Sequence, residues 1–208
     1  IDIGSGLGRV DIAGGDGDSV VWFENPREEG GNARTGAWRE HVAARLAGAD
    51  KASFAGGVFS ADGRMDLIVA ANEDMTKSGL YRIVAPSDRR GPWSGQTVDP
   101  SYMAVHKIDV GDMNRDGHPD FVVAEQEQAH NAAPCWCQNF NRQRVAVFYG
   151  DGQGNFTQQI LATTGGHNQV LGDIDGNGDL DILSANHGYD GAPNPLEVWM
   201  NQLYRRPL

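Results

Sequence analysis

The chain has 208 residues, a formal net charge of −11, 28 glycines and 39% hydrophobic residues. Such an acidic balance argues against nucleic acid and anionic membranes as partners, and no run is apolar enough for insertion into a bilayer. The length suffices to bury a core, and the glycine content suits many turns between short strands.

Taken in chain order, four glycine- and aspartate-rich segments each run into a short apolar stretch. The first extends from Asp2 through Gly8 to Asp11, with one residue inserted and its middle polar positions lost. His41 to Leu46, after Trp38, is compatible with a helical turn or a fourth strand. The second segment runs from Val58 through Ser60, Asp62 and Gly63 to Asp66. The third and fourth are clean nonapeptides: Asp112, Asn114, Asp116, Gly117 and Asp120, then Asp173, Asp175, Asn177, Gly178 and Asp181. The closing aspartates lie 55, 54 and 61 residues apart. In the third period four strands are expected, at His106–Gly111, Phe121–Gln126, Arg144–Tyr149 and Phe156–Thr163. Four-stranded units at this spacing predict an all-β protein, a β-propeller of four-stranded antiparallel blades. The repeats cover approximately 1–52, 53–104, 105–165 and 166–208, as a single propeller over 1–208. The first lacks its inner strand and the last its outer one, so about four blades are present and the ring is expected to be larger. Self-association or missing upstream sequence would complete it.

Oxygen-bearing side chains at positions 1, 3, 5 and 9, with glycine at 6 for the sharp turn, are how a chain wraps a hard cation, and Ca²⁺ is the first choice. The first six positions also match an EF-hand loop. Position 12, however, is Val123 or Ser184 rather than a bidentate glutamate, and strand-like sequence follows each loop. Two Ca²⁺ sites are therefore expected, with weak or no binding in the first two segments. Cys135 and Cys137, close to His130, allow either a loop staple or a three-ligand metal site.

This order of strand, aspartate loop and strand resembles the FG-GAP/VCBS-type repeat, the calcium-loop blade of integrin α-chain propellers and of many secreted proteins. The resemblance covers essentially the whole chain, strongly in the third and fourth periods. It implies an extracellular location and a loop joining the innermost strand to the second on one face. Carried over, Asp112, Asn114, Asp116 and Asp120 ligate one ion with the His118 carbonyl. Asp173, Asp175, Asn177 and Asp181 ligate another with the Asp179 carbonyl.

The opposite face then collects the starts of inner strands and the ends of second strands. His106 and His167 each stand six residues before a first loop aspartate, so they are expected at equivalent places near the axis. By strand alternation Lys107 and Asn168 are expected to point away from them. Tyr102, Asn72, Asn186, His187 and Tyr189 fall on the same face. Phe23, Phe148 and Trp199, on third strands, are expected in the core between blades. Two functions fit. One is recognition of a carbohydrate or an extracellular protein, with Lys107, Asn168, Asn72 and Asn186 as ligand-binding residues. The other is a polysaccharide lyase on a uronate-containing glycan, with His106, His167, His187, Tyr102 and Tyr189 in acid–base roles. Fold alone does not choose between them.

Overall fold

The computed structural model describes residues 10–70, 79–125, 143–186 and 196–203. The chain divides into two compact units, Ile1–Met103 and Ala104–Leu208. All the sheets are antiparallel, and among the described residues the only helical elements are short 3-10 turns.

The first unit holds two sheets. β1 (Ile12–Asp16), β2 (Ser19–Glu24) and β3 (Arg39–Arg45) form one, in that order. The stretch after Trp38 is thus a strand, as its alternating exposed and half-buried residues require. β4 (Ser53–Gly57), β5 (Asp66–Ala70), β6 (Leu80–Val84) and β7 (Ser94–Asp99) form the second. β5 is buried along its whole length because both faces of the sheet are covered. The core of this unit joins Val20 and Trp22 of one sheet to Leu67, Val69, Ile83 and Trp93 of the other.

The second unit repeats the plan. β8 (Val105–Gly111), β9 (Asp120–Glu125), β10 (Val145–Gly150) and β11 (Phe156–Ala162) make a four-stranded sheet. These strands lie within a residue or so of those expected from sequence. β12 (Asn168–Gly172), β13 (Asp181–Ala185) and β14 (Leu196–Trp199) make a three-stranded one. Met113, Val122, Val147 and Ile182 form the core between them, with Leu171 and Trp199 packed against it. Phe148 is buried and stacks on Phe121 with ring centroids 4.7 Å apart, while Phe23 is half-buried. Val123 and Ser184 lie within β9 and β13, so no helix follows either loop.

One side chain holds each sheet together. The closing aspartates Asp11, Asp66, Asp120 and Asp181 are all at most 1% exposed. Each stands at or just before the start of one strand and accepts a backbone N–H at or just beyond the end of the next strand of its sheet. Asn25 donates to Asp11 at 2.9 Å, Ala85 to Asp66 at 2.9 Å, Gly150 to Asp120 at 2.8 Å and Asn201 to Asp181 at 2.7 Å. In the two clean loops the second carboxylate oxygen closes the loop on itself, accepting from Met113 and from Ile174. In the second sheet that oxygen faces the Arg82 guanidinium instead, at 2.8 and 2.5 Å.

Arginines also join the two sheets of the first unit. Glu24, at the end of β2, is buried and receives Arg89, Arg90 and the His41 imidazole, the last at 2.8 Å. His41 in turn stacks on Trp22, and the Arg89 guanidinium lies 5.3 Å from the centroid of that indole. Burial pushes the Glu24 carboxyl up. The hydrogen bonds from Arg90 and His41 and the charges of Arg90 and Arg89 together override it and hold the pKa at about 2.

Two outcomes are expected. Asp120→Ala leaves the Met113 and Gly150 N–H groups buried without an acceptor, so it should lower unfolding stability by about 2–4 kcal/mol in urea titrations, with chelator present throughout. Asp120→Asn, which keeps one acceptor oxygen, should cost less. Because the folded Glu24 pKa is depressed from 4.5 to about 2, its contribution is fully present above the higher value and is lost as pH falls through the lower. The stability gap between the wild type and Glu24→Gln should be flat near neutrality and close on acidification over that window.

Candidate functional site

Each inner strand of the second unit has two chemically distinct ends. At one end lie the aspartate loops. Their sharp turns are made by Gly117 and Gly178, with φ of +86° and +90°. Position 4 is left-handed in both, as Gly176 at +76° and as Arg115 at +59°.

In the fourth loop, Asp173, Asp175 and Asp181 each bring a carboxylate oxygen within 4.8 Å of the others. Oxygens on opposite sides of one Ca²⁺, each at 2.3–2.6 Å, stand about 5 Å apart, so this donor set fits a single ion. The loop is held in shape by its own backbone. Gly178 donates to Asp173 at 2.9 Å, Asn177 to Asp175 at 3.0 Å, and Asp179 to the Asn177 side chain at 2.7 Å. In the third loop Asp116 and Gly117 both donate to Asp112, at 3.1 and 2.9 Å, and the Asn114 amide donates to Asp116. Burial acts to raise the Asp116 pKa, but hydrogen bonds from the His118 backbone N–H and the Asn114 side chain, with the charge of His118, outweigh it and hold the carboxyl below its ordinary value. The His118 imidazole packs against Gly152, where an added Cβ would meet the ring at about 2.4 Å.

The Asp179 side chain has a role the sequence did not announce. It is buried and pairs with Arg115 of the neighbouring loop at 2.9 Å. Asn201 adds a second tie by donating to the Met113 carbonyl at 2.7 Å. The two aspartate loops are thereby fastened to each other. In the first unit the Val58–Asp66 segment carries its cations covalently. Arg64 pairs with Asp62 at 2.6 Å and donates to the Ala85 carbonyl, and Arg82 holds Asp66.

At the other end of the inner strands His106 and His167 meet. Their rings stack with centroids 3.8 Å apart. Asn168 joins them: its side-chain oxygen lies 3.2 Å from His106 Nδ1 and its nitrogen 2.7 Å from His167 Nδ1. Strand alternation predicted that Asn168 would turn away from the histidines. Two local features account for the difference: His106 is an extra residue in β8, whose register with β9 shifts between Val105 and Lys107, and His167 lies just before β12, whose ladder with β13 begins at Asn168. A bulge of this kind re-aims a side chain. Ala104, two residues earlier, has φ of +48°, a second irregularity at the same strand start.

Other residues hold this arrangement. Gln169 is buried and donates to the Lys107 and Val122 carbonyls at 2.7 and 3.2 Å, which fixes β12 beside β8. Asn186 is also buried. Its amide donates to the carbonyls of Thr164 and Gly165, so it braces the turn leading into His167 instead of facing a ligand. Lys107 pairs with Asp109 at 2.9 Å, and Arg144 pairs with Glu125 at the end of β9 at 2.8 Å. Tyr102 is fully buried and belongs to the first unit, which places it in a core rather than on a ligand surface. Asn72, His187 and Tyr189, like Cys135, Cys137 and His130, lie outside the described residues. Gln169 and Arg115 escaped the sequence reading because each fills a position at which the repeats differ, Arg115 where the fourth loop has Gly176.

Residues 59–123, from Phe59 through β5, β6, β7 and β8 into β9, match the FG-GAP-like repeat. The chain thus carries an FG-GAP-type repeat, which agrees with its blade-like antiparallel sheets. No curated protein matches the chain.

The Arg115–Asp179 pair makes a direct test of how the loops are fastened. Arg115→Met strands a buried carboxylate, so it should destabilise more than the double variant Arg115→Met, Asp179→Asn, measured by urea denaturation.

Proposed function

We propose that this chain is an extracellular, calcium-stabilised β-propeller that recognises carbohydrate on the face bearing His106 and His167. The observation that carries the reading is the stacked histidine pair bridged by Asn168, set at the far end of β8 and β12 from the aspartate loops. Stacked imidazoles offer a flat π surface to sugar C–H groups, and the polar atoms around them offer donors and acceptors to hydroxyls. The binding elements sit on strands already fixed by Gln169 and Asn186, so little ordering entropy opposes binding.

Calcium, in this reading, is structural. The oxygen set of Asp173, Asp175 and Asp181 suits it, and Asp112, Asn114, Asp116 and Asp120 supply the matching types in the third loop. When bound, the ion would offset the clustered negative charge and stiffen the turn between inner and second strand. The second sheet needs no ion, because Arg64 and Arg82 already neutralise its aspartates.

Two measurements test the proposal. Calcium at about 100 times its dissociation constant should stabilise the protein by ~2.7 kcal/mol per site, and Asp175→Ala should remove that gain for one site while changing little in chelator. Equal loss in both media would give the carboxylate a packing role alone. Glycan retention should fall for His106→Ala and for His167→Ala with calcium stabilisation intact. Unchanged retention in the double variant would move the binding site elsewhere.

A further inference from the structure

We infer that Gln169, Ser184 and Glu197 form a binding site for a monovalent metal cation inside the second unit. The site uses no aspartate-loop residue and neither histidine, and it does not depend on the glycan-binding reading.

The three residues form one row across a sheet. Ser184 of β13 pairs directly with Gln169 of β12 on one side and with Glu197 of β14 on the other. Directly opposed residues point to the same face with Cβ atoms about 4.5–5.5 Å apart, so the three side chains leave the sheet side by side. Leu171, Ile182 and Trp199 lie two residues along on the same face, and they pack in the core of the unit. The row therefore faces inward. Ser184 stands three residues after a closing aspartate. At the same place the second sheet has Val69, between Phe54 and Tyr81, and the third has Val123, between Ile108 and Ala146. Those rows are aliphatic and aromatic. The fourth sheet carries oxygen-bearing side chains at all three positions instead, where an unmatched polar group costs stability.

These oxygens are unmatched. Gln169 and Ser184 are fully buried. The Gln169 amide nitrogen donates to the Lys107 and Val122 carbonyls at 2.7 and 3.2 Å. Carbonyl oxygens only accept, so the amide cannot be turned over and Oε1 must point elsewhere. Among the described residues, Gln169 Oε1, Ser184 Oγ and Glu197 Oε2 are buried and have no hydrogen-bond partner. Burial pushes the Glu197 carboxyl up, and no charge of a described residue opposes it. Lys107 of β8 is already paired with Asp109. The row thus sets three kinds of acceptor oxygen, one of them charged, against a single donor, the Ser184 hydroxyl. A hard cation takes all three kinds at once, and a monovalent one balances the single carboxylate. A divalent ion would leave an excess charge buried, which is costly. The backbone of Gly166 closes one side, because an added Cβ there would meet Ser184 Oγ at 3.1 Å. Glu197 is half-buried on β14, at the edge of the described sheet, and gives the ion a way in.

Melting temperatures in potassium, sodium and choline chlorides at equal ionic strength test the site, with a chelator present throughout so that the aspartate loops hold no calcium. Potassium or sodium at about five times its dissociation constant should raise the melting temperature by about 2–4 °C over choline. The ion giving the larger rise is the one the site prefers. Glu197→Gln should lose the rise. So should the triple variant Gln169→Ile, Ser184→Val, Glu197→Ala, which installs the apolar row of the third sheet. In crystals of the protein soaked in rubidium chloride, anomalous scattering should place an ion between Ser184 and Glu197. Equal melting in all three salts, or no rubidium at the row, would overturn the proposal and leave the oxygens to water. A rise that persists in either variant would assign the effect to another place in the molecule and overturn it equally.

Discussion

The structure depends on four buried aspartates, each taking a backbone N–H across its sheet. A strand pair that ends in a loop has unpaired N–H groups to satisfy, and leaving one buried without an acceptor is costly. A carboxylate placed at the first residue of β5, β9 or β13 supplies two oxygens at the point where inner strand, second strand and third strand converge. One oxygen always serves the far strand. The other is free to differ between repeats, and it does: it meets an N–H of its own loop in the second unit and an arginine in the second sheet. This explains why the closing aspartate survives in all four periods while the rest of the loop decays. Its first duty is to the backbone, and any role toward a cation comes on top of it.

Much of the fold was legible because repetition multiplies a weak signal. A single short apolar run distinguishes strand from helix poorly, whereas four runs in phase with four aspartates leave only a repeated sheet. The strand limits in the third repeat were readable to within about a residue because turn residues punctuate them on both sides. Less was legible where sequence distant in the chain meets. Arg89 and Arg90 reach Glu24 from more than sixty residues away, and Arg115 reaches Asp179 in the next repeat. Such pairings depend on how one sheet is rotated over the next, which no local pattern encodes.

The candidate site shows the same division. The placement of His106 and His167 at corresponding strand starts follows from counting residues back from the loops, and counting is reliable within a repeat. The orientation of Asn168 was misread because alternation holds only within a regular ladder, and His167 stands just outside the β12 ladder while His106 interrupts that of β8. Tyr102 was misread for a different reason: a tyrosine in a connecting segment looks exposed until the segment itself is covered. Asn186 illustrates a third case, in which an amide suited to a ligand is already occupied by backbone carbonyls.

Arg82 and Arg64 have a consequence for how the molecule answers to its surroundings. A guanidinium tethered beside Asp66 or Asp62 cannot be diluted, chelated or exchanged for a competing ion. The local concentration of positive charge there is set by bond lengths, and it stays the same in fresh water, brine or an acidic niche. A loop that draws its positive charge from the medium has no such guarantee, and its rigidity follows supply. On the calcium reading proposed above, one chain places a self-sufficient strand junction ahead of junctions built from open oxygens, so scarcity of divalent ions would be felt at one end of the polypeptide long before the other.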